Sequence, residues 1–147
     1  MHDVLVGYDG SDSANYAVAF ALDMAERQGA KLHVLAVAPT PDWGALDYEK
    51  TELMEAAKTR YSDFLQQLRS TLRATSAVIQ YEMVTGHPAK ELVLYAEKHD
   101  IDHLVVGHRG QTVFERWLLG SIARQVIAYA SCSVTIVRGR PNSRHAR

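Results

Sequence analysis

Short apolar runs alternate with longer amphipathic stretches along the whole chain, and that alternation constrains the fold more than any other feature. Val4 to Gly7, Leu32 to Val37, Ala77 to Val84, Ile101 to Val106 and Val134 to Val137 are brief apolar runs, several of them rich in β-branched residues. Gly, Asp, Pro or charge bounds each one, as expected of buried strands. Between them apolar residues recur at helical spacing. Ala14, Ala17, Val18, Ala21, Leu22 and Ala25 define a first helix, with Gly29 placed as its C-cap. Leu53, Ala57, Tyr61, Phe64, Leu65, Leu68 and Leu72 define a longer second helix. A third runs from Pro88, which suits a first turn, to His99, with Leu92, Val93 and Ala96 facing inward. The fourth carries Ile122, Val126, Ile127 and Ala130 behind Ser121. Strands lacking polar alternation, each followed by a helix, predict a parallel sheet covered on both faces and joined by right-handed crossovers. The expected architecture is one doubly wound, five-stranded parallel α/β domain of Rossmann-like type.

Composition narrows the class further. With 147 residues and 47% apolar content the chain can build one core, and its apolar runs are too short to span a bilayer. Met1-His2-Asp3 leads directly into the first strand without a basic or apolar leader, so a cytoplasmic protein is expected. A lone Cys132 in a serine-flanked apolar stretch cannot close an internal disulfide and reads as a small packed residue. Sixteen basic against 17 acidic side chains leave little net field to attract nucleic acid or an anionic membrane. The basic cluster at the end, Arg138, Arg140, Arg144, His145 and Arg147, is interrupted by Pro141, Asn142 and Ser143. Residues 139 to 147 therefore read as a flexible basic tail behind a domain covering residues 1 to 138.

In an open parallel sheet, ligands bind beyond the carboxyl ends of the strands, where strand order reverses. The loops Pro39 to Leu46 and Gln111 to Leu119 are expected to rim that crevice. Two glycine sets fall beside it. Gly107 and Gly110 follow the fourth strand, and Gly120-Ser121 opens the fourth helix. Glycine lets a backbone approach a ligand closely, and a helix N-terminus offers free amides at its positive dipole end, so this end suits phosphate. Arg109 lies inside the first glycine pair, either paired with phosphate or extended into solvent, and His108 beside it reads as a solvated loop histidine. Tyr8-Asp9-Gly10-Ser11-Asp12-Ser13 follows the first strand, where Ser11 and Asp12 suit helix capping. Asp9, at the strand tip, can accept hydrogen bonds from an adenine amino group or a ribose hydroxyl. No Gly-x4-Gly-Lys-Ser/Thr occurs, and no Gly-x-Gly-x2-Gly follows the first strand, which argues against a P-loop NTPase and ordinary dinucleotide binding.

Asp9, Val37, Gly86-His87-Pro88, and the stretch from Val105-Val106-Gly107-His108-Arg109-Gly110 to Leu118-Leu119-Gly120-Ser121-Ile122-Ala123 together resemble the universal stress protein family. The resemblance extends from about residue 3 to 138, and its glycine motif is the form carried by the ATP-binding branch. It implies a fold like that of the adenine nucleotide α-hydrolases and an ATP site with Mg2+ or Mn2+ carried by the phosphates. Asp9 and the segment around Val37, with Tyr8, would hold adenine and ribose. Val106, Gly107, His108, Arg109, Gly110, Gly120, Ser121, Ile122 and Ala123 would surround ribose and phosphates. It also implies a homodimer through the last strand, Ser133 to Arg138. Two positions depart from the family pattern: Ser133 follows Cys132 where proline is common, and His108 replaces a small or apolar residue.

A hydrolase needs a poised base or a water-orienting group near the reacting phosphate, and the sequence offers none clearly. His99 and His103 straddle a helix end and a strand start and do not read as a metal pair. The expected function is therefore an ATP-binding regulator of a stress response, with at most slow hydrolysis. Two alternatives remain. One is an enzyme of the ATP pyrophosphatase type, whose pyrophosphate loop Gly10, Asp12 and Ser13 partly match; the other is a dimeric scaffold that binds no nucleotide.

Overall fold

A computed structural model describes residues 1–40, 47–109 and 119–139. Five strands alternate with four helices in the expected order. These are β1 (Asp3–Gly7), α1 (Asp12–Gln28), β2 (Lys31–Pro39), α2 (Asp47–Thr71), β3 (Ile79–Gly86), α3 (Pro88–Lys98), β4 (His103–Gly107), α4 (Ser121–Tyr129) and β5 (Ser133–Val137). All strand pairs are parallel, and the sheet order is β3-β2-β1-β4-β5. The chain winds outward from β1 to β3, then returns to the other side of β1, so strand order reverses between β1 and β4.

Each face of the sheet buries alternate residues of the same strands. Val4, Val6, Leu32, Val34 and Val105 pack against α1 and α2, while Leu5, Leu35, Val37, Leu104 and Val106 pack against α3 and α4. Leu5, Leu32 and Leu104 are wholly enclosed; burying each such side chain stabilises the fold by roughly 1.5–3 kcal/mol. Ser11 is the N-cap of α1, its hydroxyl accepting from the Ala14 N–H at 3.1 Å, and Gly29 closes the same helix. The capping role expected of Ser11 is thus the one observed.

Several boundaries and faces differ from expectation. Ile101 is buried in the turn before β4 rather than in the strand: it is apolar because it plugs the core, not because it joins the ladder. Pro39, expected in a loop, ends β2. Leu53 is half exposed, and of the expected inner face of α2 only Tyr61, Leu65 and Leu68 are fully buried. Length explains this, since a helix of 25 residues spans about 37 Å and the nine-residue strand β2 only about 30 Å. Ile127 of α4 is likewise half exposed, because α4 buries only the face carrying Ala123 and Val126. Residues 140–147, most of the expected tail, lie outside the described residues, as do loop positions 41–46 and 111–118.

Candidate functional site

The reversal of strand order opens a crevice of about 520 Å³ at the carboxyl ends of the strands, within the range of small-molecule sites. β1 delivers Gly7, Tyr8 and Asp9 to one wall, and β2 supplies Leu35, Val37 and Pro39. From β4 come Val106, Gly107 and Arg109, and the start of α4 adds Gly120, Ser121, Ile122, Ala123 and Arg124. Ten of the twelve residues expected at the site therefore converge on one cavity. Gly110 lies outside the described residues, and His108 points elsewhere.

At the β1 end, Gly10 turns the chain with φ +81°. A Cβ there would come within 2.9 Å of the Phe64 ring, so glycine is needed for both conformation and space. The turn lets Asp9 accept the Ser11 N–H at 2.9 Å. Tyr8 donates its hydroxyl proton to Asn15 Oδ1 at 2.8 Å. Burial, and secondarily the Asp9 charge, raise the pKa of both Tyr8 and Tyr61, so both hydroxyls stay neutral. Asp9 and the two tyrosines thus form an acceptor-bearing, partly aromatic end.

The β4 end depends on close backbone approach. A Cβ on Gly107 would lie 2.8 Å from the carbonyl carbon and oxygen of Ser13, so any larger residue would push the start of α1 off the sheet. The Gly120 N–H donates to the His108 carbonyl at 2.7 Å, tying α4 to the loop after β4. Gly120 is the N-cap of α4 and has no side chain with which to cap it. The next three N–H groups, on Ser121, Ile122 and Ala123, precede the first intrahelical donor, the Arg124 N–H, and their residues line the crevice. This end is therefore positive.

His108 corrects the sequence reading. Instead of a solvated loop residue it is 5% exposed, facing α1 and β5 rather than the crevice. Its N–H donates to the Val137 carbonyl at 3.0 Å. Arg109 Nε donates to His108 Nε2 at 3.1 Å, which leaves the ring proton on Nδ1, facing Ser13 Oγ at 3.4 Å. Burial, then the Arg109 and Arg138 charges, lower its pKa and keep it neutral. With its proton already on Nδ1, His108 cannot take one from Ser13, so the pair is a bracket between the β4 loop and α1, not a nucleophile and its base.

Gly10, Asp12 and Ser13 do not line the crevice, and Asp12 belongs to the first turn of α1. Sequence reading misses Tyr61 and Arg124 as wall residues. Tyr61 is hidden by its fit to the helical core pattern, and Arg124 had one available signal, its position three residues after Ser121. Among the described residues no group of three His, Cys, Asp or Glu side chains could hold a metal ion. His99 stacks on Tyr95 with ring centroids 3.9 Å apart, whereas His103 Nε2 bonds Thr135 Oγ1 at 2.5 Å. Cys132 is half-buried, and burial raises its pKa, so the thiol stays protonated.

Strand order, helices on both faces and a crevice at the reversal define a doubly wound, Rossmann-like α/β domain. The chain belongs to the universal stress protein family, whose sequence profile matches residues 1–138. It is 33% identical over 137 residues to Universal stress protein MJ0531 of Methanocaldococcus jannaschii, covering 92% of this chain and 81% of that protein. The structure of universal stress protein UspA from Lactobacillus plantarum superposes with a TM-score of 0.86 at 30% identity, covering 93% of this chain and 97% of that one. A universal stress protein solved in complex with cAMP is 28% identical, with a TM-score of 0.61 over 93% of this chain and 96% of its own.

Proposed function

We propose that this protein is an ATP-binding regulator that acts in a stress response by holding the nucleotide rather than turning it over quickly. The observation that carries this reading is the polarity of the crevice, with an acceptor at Asp9 and open helix amides at Ser121 to Ala123. Adenine and ribose occupy the Asp9, Tyr8 and Val37 end; the phosphates rest on Gly107, Gly110, Gly120 and Ser121. The adenine nucleotide in the cAMP-bound relative supports the class of ligand. Mg2+ or Mn2+ is carried by the phosphates, as the family resemblance implies. The ion would supply charge neutralisation of the polyphosphate.

The described wall residues support slow turnover. Among the described residues lining the crevice, Asp9 is the one carboxylate and lies at the nucleoside end, while His108 faces Ser13. Neither is placed to activate water at a terminal phosphate. The regulatory output is assigned to a cytoplasmic homodimer joined through the edge strand β5, with Ser133 restoring an amide at its start. No described helix is long and apolar enough to cross a membrane.

Gly120→Val tests the site directly, because it adds a branched side chain at the N-cap of α4, in the wall of the crevice. Isothermal titration with Mg-ATP should show affinity falling at least about a hundredfold, roughly the loss of two charge-assisted hydrogen bonds. Equal ATP affinity in Gly120→Val and the natural protein, or no ATP binding by the natural protein at millimolar nucleotide, would overturn the reading.

A further inference from the structure

Three described side chains lining the crevice carry charge: Asp9 at one end, Arg109 and Arg124 at the other. Arg109 is engaged, with its Nε on His108. Arg124 is solvent-exposed at the crevice rim and makes no side-chain hydrogen bond or ion pair with any described residue. Its backbone N–H makes the first bond of α4, to the Gly120 carbonyl at 3.1 Å. Arg124 is thus one turn into the helix and lines the same cavity as Ser121, Ile122 and Ala123.

Helix electrostatics oppose that placement. A cation near a helix N-terminus is repelled by the positive dipole end, where Asp or Glu is favoured instead. α1 and α3 follow the ordinary rule, with Asp12 and Glu91 in their first turns. α4 has no acidic residue in its first turn and an arginine directly behind it. The uncapped amides, the dipole and the guanidinium all add positive potential at one wall of one cavity. A chain of two or more phosphates has the charge and the length to meet the amides and the guanidinium together.

We propose that Arg124 sets the phosphate number that the site prefers, pairing with the outer phosphate of a chain whose inner phosphates rest on the α4 amides. The site then selects nucleoside triphosphates and diphosphates over monophosphates. This rests on the nucleotide reading above. An arginine fork matches two phosphate oxygens at once, and its exposed position lets it follow a chain of varying length.

The test is calorimetric titration of ATP, AMP and inorganic tripolyphosphate, each with Mg2+, into the natural protein, Arg124→Ala and Arg124→Glu. Arg124→Ala should weaken ATP and tripolyphosphate about tenfold, the range of one charge-assisted contact, and leave AMP within about twofold. Arg124→Glu should weaken ATP about a hundredfold by adding repulsion. Thermal unfolding of Arg124→Ala should be unchanged or slightly raised, since alanine suits a helix. Unchanged ATP affinity in Arg124→Ala, or equal weakening of ATP and AMP, overturns the assignment. If the natural protein binds tripolyphosphate but no adenine nucleotide, the nucleotide reading fails, and loss of tripolyphosphate in Arg124→Ala still upholds the arginine. If it binds neither, both fall.

Discussion

The two ends of the one sheet use polar groups in opposite ways. At the amino ends of the strands they satisfy one another. His33, 3% exposed in the middle of apolar β2, places Nε2 2.8 Å from Asp3 Oδ1 and Nδ1 2.8 Å from the Tyr95 hydroxyl. Tyr95 also bonds Glu82, and burial, followed by the Glu82 charge, pushes its pKa up to about 12. Nearby, Asp102 Oδ2 accepts the N–H groups of His2 and Asp3 at 2.7 and 2.8 Å, bonds that hold its carboxyl below the usual range. At the carboxyl ends, by contrast, the α4 amides and Arg124 are left open to a cavity. Strand direction explains the difference. In a parallel sheet every helix that follows a strand starts at the carboxyl end, so unpaired N–H groups gather there. One end therefore spends its polar groups on the fold, and the other leaves them available to a ligand.

The largest expected effect comes from a change that breaks this division. Gly107→Val forces a side chain into the backbone of Ser13, so it should lower unfolding stability by about 3 kcal/mol in urea titration as well as abolish ATP binding. A loss of binding with full stability would show that α1 yields freely and that the two functions of this end are separable. Next, Tyr95→Phe removes the hydroxyl partner of buried His33 and should cost about 2 kcal/mol, with ATP affinity unchanged. A fall in ATP affinity there would couple the two ends and defeat the comparison.

The smallest effect is one of pH, and it samples both ends. His103, near the amino end of β4, and His108, beyond its carboxyl end, both have pKa values lowered below 6.5, in each case first by burial. The unfolded chain then binds more protons than the folded one as pH drops beneath 6.5. Stability should be full above that point and decline as pH falls through it towards the folded values. Urea midpoints measured from pH 7.5 to 5 in His103→Asn and His108→Asn variants apportion the decline between the ends. A midpoint that rises on acidification would contradict both shifts.

The elements of the fold were legible because their signals are local. Apolar period, the Ser11 cap and Gly29 all act within a few residues, and strands lacking polar alternation already imply burial on both faces. Boundaries were less legible where burial mimics pairing, as at Ile101, or where a helix outruns its sheet, as at Leu53. Much of the site could also be read, since Asp9, Gly107, Gly120 and Ser121 stand at strand ends and a helix start. His108 could not. Its neighbours, Ser13 and Val137, are remote in sequence, and nothing local says that the ring turns beneath α1 rather than out to water.

By itself, then, the sequence determined the alternating α/β architecture, the family and the glycine-lined end of the crevice. Periodicity and glycine placement act over short stretches of chain, which is why they can be read there. Only the tertiary structure decided that Tyr61 joins Asp9 in the crevice wall, that His108 is a neutral bracket, and that Arg124 lines the same cavity as Ser121, Ile122 and Ala123. Those roles depend on the burial and charge supplied by segments that meet only when the sheet forms.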